Sequence, residues 1–158
     1  MLTHLDQEGR PRMVDVSAKD VTDRTAVAEG ILITRPGTLD LIRASGGPKG
    51  DPTFTASLAG IQAAKRTAEL IPLCHPLPLT SVDVDVRVDD SLPGLRATST
   101  VRVTGRTGVE MEALTAVAVA LLTAYDMLKA VDGEMRIENV RLLRKTGGRS
   151  GVRETEQS

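Results

Sequence analysis

The chain has 158 residues, 20 Lys and Arg against 21 Asp and Glu, a net charge of −1, and only 1% aromatic residues: one Phe, one Tyr and no Trp. That length suits one domain with a real core, and a near-neutral charge excludes bulk electrostatic attachment to nucleic acid or a membrane surface while leaving room for a local basic pocket. The core must be built from Val, Leu, Ile and Ala, and stacking of bases on aromatic platforms is excluded as a general binding mode.

Residues 1–12 are polar and unpatterned, and the N-terminus shows no charged start and apolar run of a signal peptide, so a cytoplasmic location is expected. Within MVDVSAKDVTDRTAVAEG, Val14 and Val16 alternate with Asp15 and Ser17 as in a short strand, and AVAEGILI, ending at Ile33, reads as a strand buried on both faces. Arg24 lies between them, a solvated charge unless something nearby needs it. Pro36 suits the first turn of a helix to about Ala44. SGGPKGD breaks that helix and holds Lys49 among flexible neighbours; its backbone N–H groups and ammonium suit an anion, but it is not a Walker loop and, taken alone, a plain connecting turn is the better reading. Asp51-Pro52-Thr53 then caps a helix expected from about Thr53 to Leu70, with Phe54, Leu58, Ile61 and Ala64 inward.

In IPLCHPLPL three prolines force an extended path and place Cys74 beside His75. A lone cysteine makes no intramolecular disulfide; a thiolate pair or a metal ligand is a weak reading, and the preferred one is a small buried thiol next to an imidazole that hydrogen-bonds a ligand, with a satisfied structural histidine equally open. Neighbours in extended chain point to opposite sides, which disfavours direct pairing. SVDVDVRVDD puts Val82, Val84, Val86 and Val88 on one face and Asp83, Asp85 and Arg87 on the other, and Ala97–Thr104 alternates again, so the two predict an antiparallel hairpin. GRTGVEMEALTAVAVALLTAYDMLKAVD then predicts a long buried helix through Leu114, Val117, Leu121 and Leu128. Its uncharged core is shorter than the roughly 20 residues that a bilayer requires. Glu110 and Glu112 stand at its start, and Asp126 and Lys129, three positions apart, share a face at its end. MRIENVRLLRK predicts a last strand, and a basic glycine-rich tail starts at Lys145 with KTGGRSG, either a loose end or a flap over an anion.

Strand, helices, strand, strand, helix, strand is the split βαβ pattern, so the expected fold is α+β and ferredoxin-like, an antiparallel sheet with helices on one face. Residues 1–158 are expected to form one domain, with about 1–11 and 146–158 flexible. Such folds host enzymes, ligand sensors and RNA binders. RNA binding through the sheet wants aromatics and basic residues where Val82–Val88 offers aspartates and one arginine; a non-catalytic nucleotide-binding sensor would want an output segment, which these residues do not display.

Four stretches together, MVDVSAKDVTDRTAVA, KGDPTFTASLAGIQAAKRTAELIPLCHPL, GRTGVEMEALTAVAVALLTAYDMLKA and KTGGRSG, resemble the cyclic pyranopterin monophosphate synthase family, bacterial enzymes of molybdenum cofactor biosynthesis that act after the radical cyclisation of GTP. The resemblance implies a lyase acting on 3′,8-cyclo-7,8-dihydroguanosine 5′-triphosphate to give cyclic pyranopterin monophosphate and diphosphate. It also implies a homohexamer, a trimer of dimers with sites at subunit interfaces, and neither metal nor organic cofactor. Carried onto this chain, the family's catalytic aspartate falls at Asp126 and its lysines at Lys49 and Lys129. Substrate contacts fall at Leu73, Cys74, His75, Met111 and Glu112, with Glu110, Arg24 and Lys145 in the pocket. Arg149 stands where the family's GGKSG carries a lysine; a guanidinium can hold phosphate but cannot act as an acid or base.

Overall fold

The computed structural model describes residues 4–45, 49–148 and 151–155. Its frame is an antiparallel sheet of five strands, ordered β2-β3-β1-β4-β5, with β1 at Thr22–Ile33, β2 at Ser81–Asp89, β3 at Gly94–Gly105, β4 at Arg136–Thr146 and the short β5 at Arg153–Glu154. The helices are α1 (Pro36–Ser45), α2 (Pro52–Lys65), the single turn α3 (Thr67–Leu70) and α4 (Glu110–Leu128). This is the expected α+β, ferredoxin-like arrangement. β1 is the spine: it pairs with β3 from Thr22↔Gly105 to Ile33↔Gly94, and with β4 from Thr25↔Thr146 to Ile33↔Arg136 across two bulges. β2 and β3 form the anticipated hairpin.

Alternation along the strands decides which side is covered. Ala26, Ala28 and Leu32 of β1, Val84 and Val86 of β2, and Leu95, Ala97, Val101 and Val103 of β3 are buried beneath α4 and α2. α4 lies across β1, β3 and β4, which explains its lack of charge: ten of its 19 residues are buried, including Ala113, Ala116, Val117, Ala120, Leu121 and Ala124. By length and composition alone this helix also matches a membrane span, but most of its apolar residues are pressed between sheet and α2.

α2 departs from expectation in phase. Its buried residues are Pro52, Ala56, Gly60, Ala63 and Ala64, whereas Phe54 is 70% and Leu58 49% exposed. The reason is proximity to α4: a Cβ at Gly60 would stand 2.9 Å from the Ala116 carbonyl oxygen and 3.3 Å from the Ala120 Cβ. Only a stripe of small residues fits, so Phe54 and Leu58 turn outward, while Ala64 is buried as expected and Ile61 packs partly buried at the edge of the core. The helix also ends earlier, at Arg66 (φ −114, ψ 13), and the hydroxyl of Thr67, the first residue of α3, donates to the Ala63 and Ala64 carbonyls.

A second correction concerns Val14–Ser17, which forms no strand. Asp15 accepts the Ser17 N–H at 2.8 Å, and Lys19 N–H donates to the Val16 carbonyl at 3.0 Å, so local side-chain and turn bonds replace a ladder. The segment runs outside the sheet and ends as a wall of the cavity described next.

Candidate active site

Three stretches converge at the N-terminal end of α4: the turn after β3, the proline-rich path from Ile71 to Leu79, and residues 14–19. They enclose a cavity of about 610 Å³ lined by Val14, Lys19, Leu73, Cys74, His75, Glu110, Met111 and Glu112, among others. That volume is in the range of small-molecule sites. His75 Nε2 lies 2.7 Å from the Val14 carbonyl oxygen. A carbonyl only accepts, so Nε2 carries the hydrogen and the ring is fixed against the wall, leaving Nδ1 as its remaining polar atom. Burial and the negative charge of Glu112 push the Cys74 thiol up, which makes it a neutral lining group rather than a thiolate. Among the described residues no cluster of His, Cys, Asp and Glu suits a metal ion.

A smaller, polar recess of about 190 Å³ adjoins it, sharing Lys19, Thr107, Gly108 and Glu110 and adding Arg24, Lys145 and Gly147. Lys145 Nζ holds Glu110 Oε1 at 2.8 Å. Burial alone would raise Glu110, but the Lys145 hydrogen bond, its own N–H and the charges of Lys145 and Arg24 outweigh this and hold the carboxyl below its usual range. Glu112 is the opposite case. It is 4% exposed, no cation pairs with it among the described residues, and burial, then the charge of Glu110, raises it. Arg24 spends its guanidinium on backbone, donating to the carbonyls of Gly105 at 3.0 Å and Arg106 at 3.2 Å. Gly147, at φ +97, lets the chain pass this arginine where a Cβ would fall 2.2 Å from the Asp23 carbonyl oxygen.

The other end of α4 carries a second cluster. Asp126 accepts from Lys129 Nζ at 2.7 Å and from Lys49 Nζ at 2.8 Å, on separate oxygens, with all three side chains more than half exposed. Hydrogen bonds from Lys129 and then Lys49, with their charges, bring Asp126 down to about 2, and Asp126 in turn raises Lys129. Behind them Asp132, wholly buried, accepts from Arg35 N at 2.8 Å and the Thr38 hydroxyl at 2.9 Å, tying the turn after α4 to the start of α1.

The sequence-derived residues therefore fall into two groups. Leu73, Cys74, His75, Glu110, Met111, Glu112, Arg24 and Lys145 surround the two recesses; Lys49, Asp126 and Lys129 meet at the far end of α4. From Glu110 to Asp126 the helix rises roughly 24 Å, so one chain does not bring the groups together. Arg149 and the Gly46–Pro48 part of the glycine-rich turn lie outside the described residues. Lys19, Thr107 and Gly108 line both recesses without having been singled out, although Lys19 sits inside the MVDVSAK stretch.

Comparison with known proteins bears on the same residues. The sequence pattern described as the MoaC family matches residues 13–148, from the edge of the cavity wall to the glycines beside Arg24. A protein of Methylobacterium nodulans named cyclic pyranopterin monophosphate synthase is 63% identical over 155 residues, 98% of this chain and 97% of the relative. Proteins of the same name from Methylobacterium sp. strain 4-46 and Brucella ovis are 63% and 58% identical over 150 residues, covering 95% of this chain and 94% and 91% of theirs. On a match that takes in both ends of α4 and both recess walls, this chain belongs to the MoaC family.

Proposed function

We propose that the protein is a cyclic pyranopterin monophosphate synthase, a lyase that converts 3′,8-cyclo-7,8-dihydroguanosine 5′-triphosphate into cyclic pyranopterin monophosphate and diphosphate in molybdenum cofactor biosynthesis. The observation that carries it is identity of up to 63% along almost the whole chain to proteins of that name, coupled to a cavity of suitable size lined by the residues the resemblance marks for substrate contact. The chemistry fits the residue types. Forming a cyclic phosphate requires a substrate hydroxyl oxygen to attack phosphorus as diphosphate departs, so a proton must leave the oxygen and negative charge must be held on the leaving group. Opening one ring of the base and closing another needs further proton transfers.

Glu110 and Glu112 divide the recognition. Glu110 is engaged by Lys145, whereas Glu112 has acceptor oxygens without a cationic partner among the described residues and is the better match for ring N–H and amino donors of a guanine-derived base. Lys49 and Lys129 are assigned to the phosphates and to proton donation. Asp126, ionised at neutral pH, is a weak proton acceptor while both ammoniums hold it; its part is to orient the two lysines and keep Lys129 charged until phosphate replaces it. Because the clusters sit at opposite ends of α4, a complete site needs groups from two chains. We propose a homohexamer, a trimer of dimers, with sites at subunit interfaces, in the cytoplasm. The exposed apolar side chains Phe54, Leu58 and Leu122 on α2 and α4 support burial against other subunits.

The test is to incubate the purified protein with the cyclised dihydro-GTP and follow pyranopterin by mass spectrometry together with diphosphate release. Wild type should form both, and Lys49→Ala should fall by about 10²-fold or more. Wild type that binds the intermediate but leaves it unchanged would sink the assignment.

A further inference from the structure

One arginine outside the resemblance-derived set fastens the cavity wall. Arg106, in the turn between β3 and α4, donates from Nη1 to the carbonyl oxygens of Ser17 at 2.8 Å and Lys19 at 2.5 Å. Its own carbonyl accepts from Arg24, so the fastening continues back to β1. Residues 14–19 have no ladder to hold them, yet they supply Val14, Val16 and Lys19 to the larger cavity and Lys19 to the smaller recess. Among the described residues their other side-chain tie to the fold is the His75 hydrogen bond to the Val14 carbonyl. Released from Arg106, the end of the wall that carries Lys19 would be free of side-chain restraint. The recess it faces collects Lys19, Arg24 and Lys145 against the single carboxylate Glu110, a surplus of positive charge suited to an anion.

We propose that Arg106 is a positioning residue: by clamping the Ser17 and Lys19 carbonyls it holds residues 14–19 against the cavity and presents the Lys19 ammonium, at the junction of the two recesses, to the phosphates of the substrate. Two charge-assisted bonds to backbone on either side of residue 18 fix the frame from which the Lys19 side chain reaches, so that less of its freedom is lost on binding. This inference rests on the synthase reading above.

Steady-state kinetics with the cyclised dihydro-GTP test it on wild type, Lys19→Ala, Arg106→Ala, Arg106→Lys and the Lys19→Ala/Arg106→Ala double variant. Lys19→Ala should raise KM about 10-fold and change kcat less than about 3-fold, and Arg106→Ala should raise KM about 3- to 10-fold. Arg106→Lys should stay within about 2-fold of wild type, because one ammonium can reach both carbonyls, and the double variant should be no worse than Lys19→Ala alone. Hydrogen exchange should quicken at residues 14–19 in Arg106→Ala and be unchanged in β1 and α4, separating a loosened wall from a failing fold. Wild-type KM in Arg106→Ala, or losses that multiply in the double variant, overturns the proposal. An inactive wild type instead removes the synthase reading beneath it.

Discussion

Glu110 and Glu112 stand two positions apart in the first turn of one helix, so they face different surroundings. One meets an ammonium and stays ionised; the other is buried, pairs with no cation among the described residues and resists ionisation. The sign of the stability effect follows. Because the folded-state pKa of Glu112 is raised, the unfolded chain gives up this proton first as pH rises, and the associated stability, full below the ordinary glutamate value of 4.5, is lost as pH climbs through the folded pKa. Glu112→Gln should accordingly raise Tm near neutrality relative to wild type, with a smaller difference at pH about 4, while turnover falls. Thermal unfolding at both pH values checks this; an equal Tm difference at the two would mean that Glu112 ionises as easily folded as unfolded. The split between the two glutamates was not legible in the sequence, where GVEMEA shows only two acids. The ion pair that separates them joins residues 35 positions apart.

At the scale of elements, the contact between α2 and α4 sets the geometry of the site. Ala56, Gly60, Ala63 and Ala64 allow α2 to lie close on α4, and the path from its end leads directly into Leu73, Cys74 and His75. Gly60→Val should cost about 1–3 kcal/mol through overpacking, since its Cβ meets backbone at Ala116 rather than a side chain that can swing away. In a chain of this length that is a fall in Tm of several degrees, about 2–4 °C for each kcal/mol, measured by calorimetry. A variant as stable as wild type would show that the helices separate freely. Sequence periodicity put the large apolar residues of α2 inward because burial normally follows size. Here the neighbouring helix is itself Ala-rich, and close approach favoured the small stripe. At Val14–Ser17 the alternation was real, but Asp15 and Ser17 form a local turn that competes with pairing.

For the whole molecule, the distance between the two clusters yields the sharpest prediction. Asp126→Ala and Glu112→Ala chains, each inactive when alone, should recover activity when co-expressed and co-purified, because a site built from two subunits can draw Asp126 from one and Glu112 from the other. With random mixing about one quarter of sites would regain both groups. Activity assays on tagged hybrids, with light scattering to fix the oligomeric state, read the result; hybrids as dead as either parent would place the whole site within one chain.

Sequence alone determined the order of β1 to β4 and of the long helices between them, the hairpin, the buried α4 with its charged ends, and most of the residues named around the cavity, because period-2 and helical patterning, proline-rich punctuation and family motifs are all local in the chain. Only the tertiary structure decided which face of α2 is buried, that residues 14–19 form a wall instead of a strand, that Glu110 is paired while Glu112 is not, and that Lys49, Asp126 and Lys129 stand a helix length away from Glu112. Each of these depends on contacts between segments distant in sequence, where packing distance and the choice of charge partner outweigh local preference.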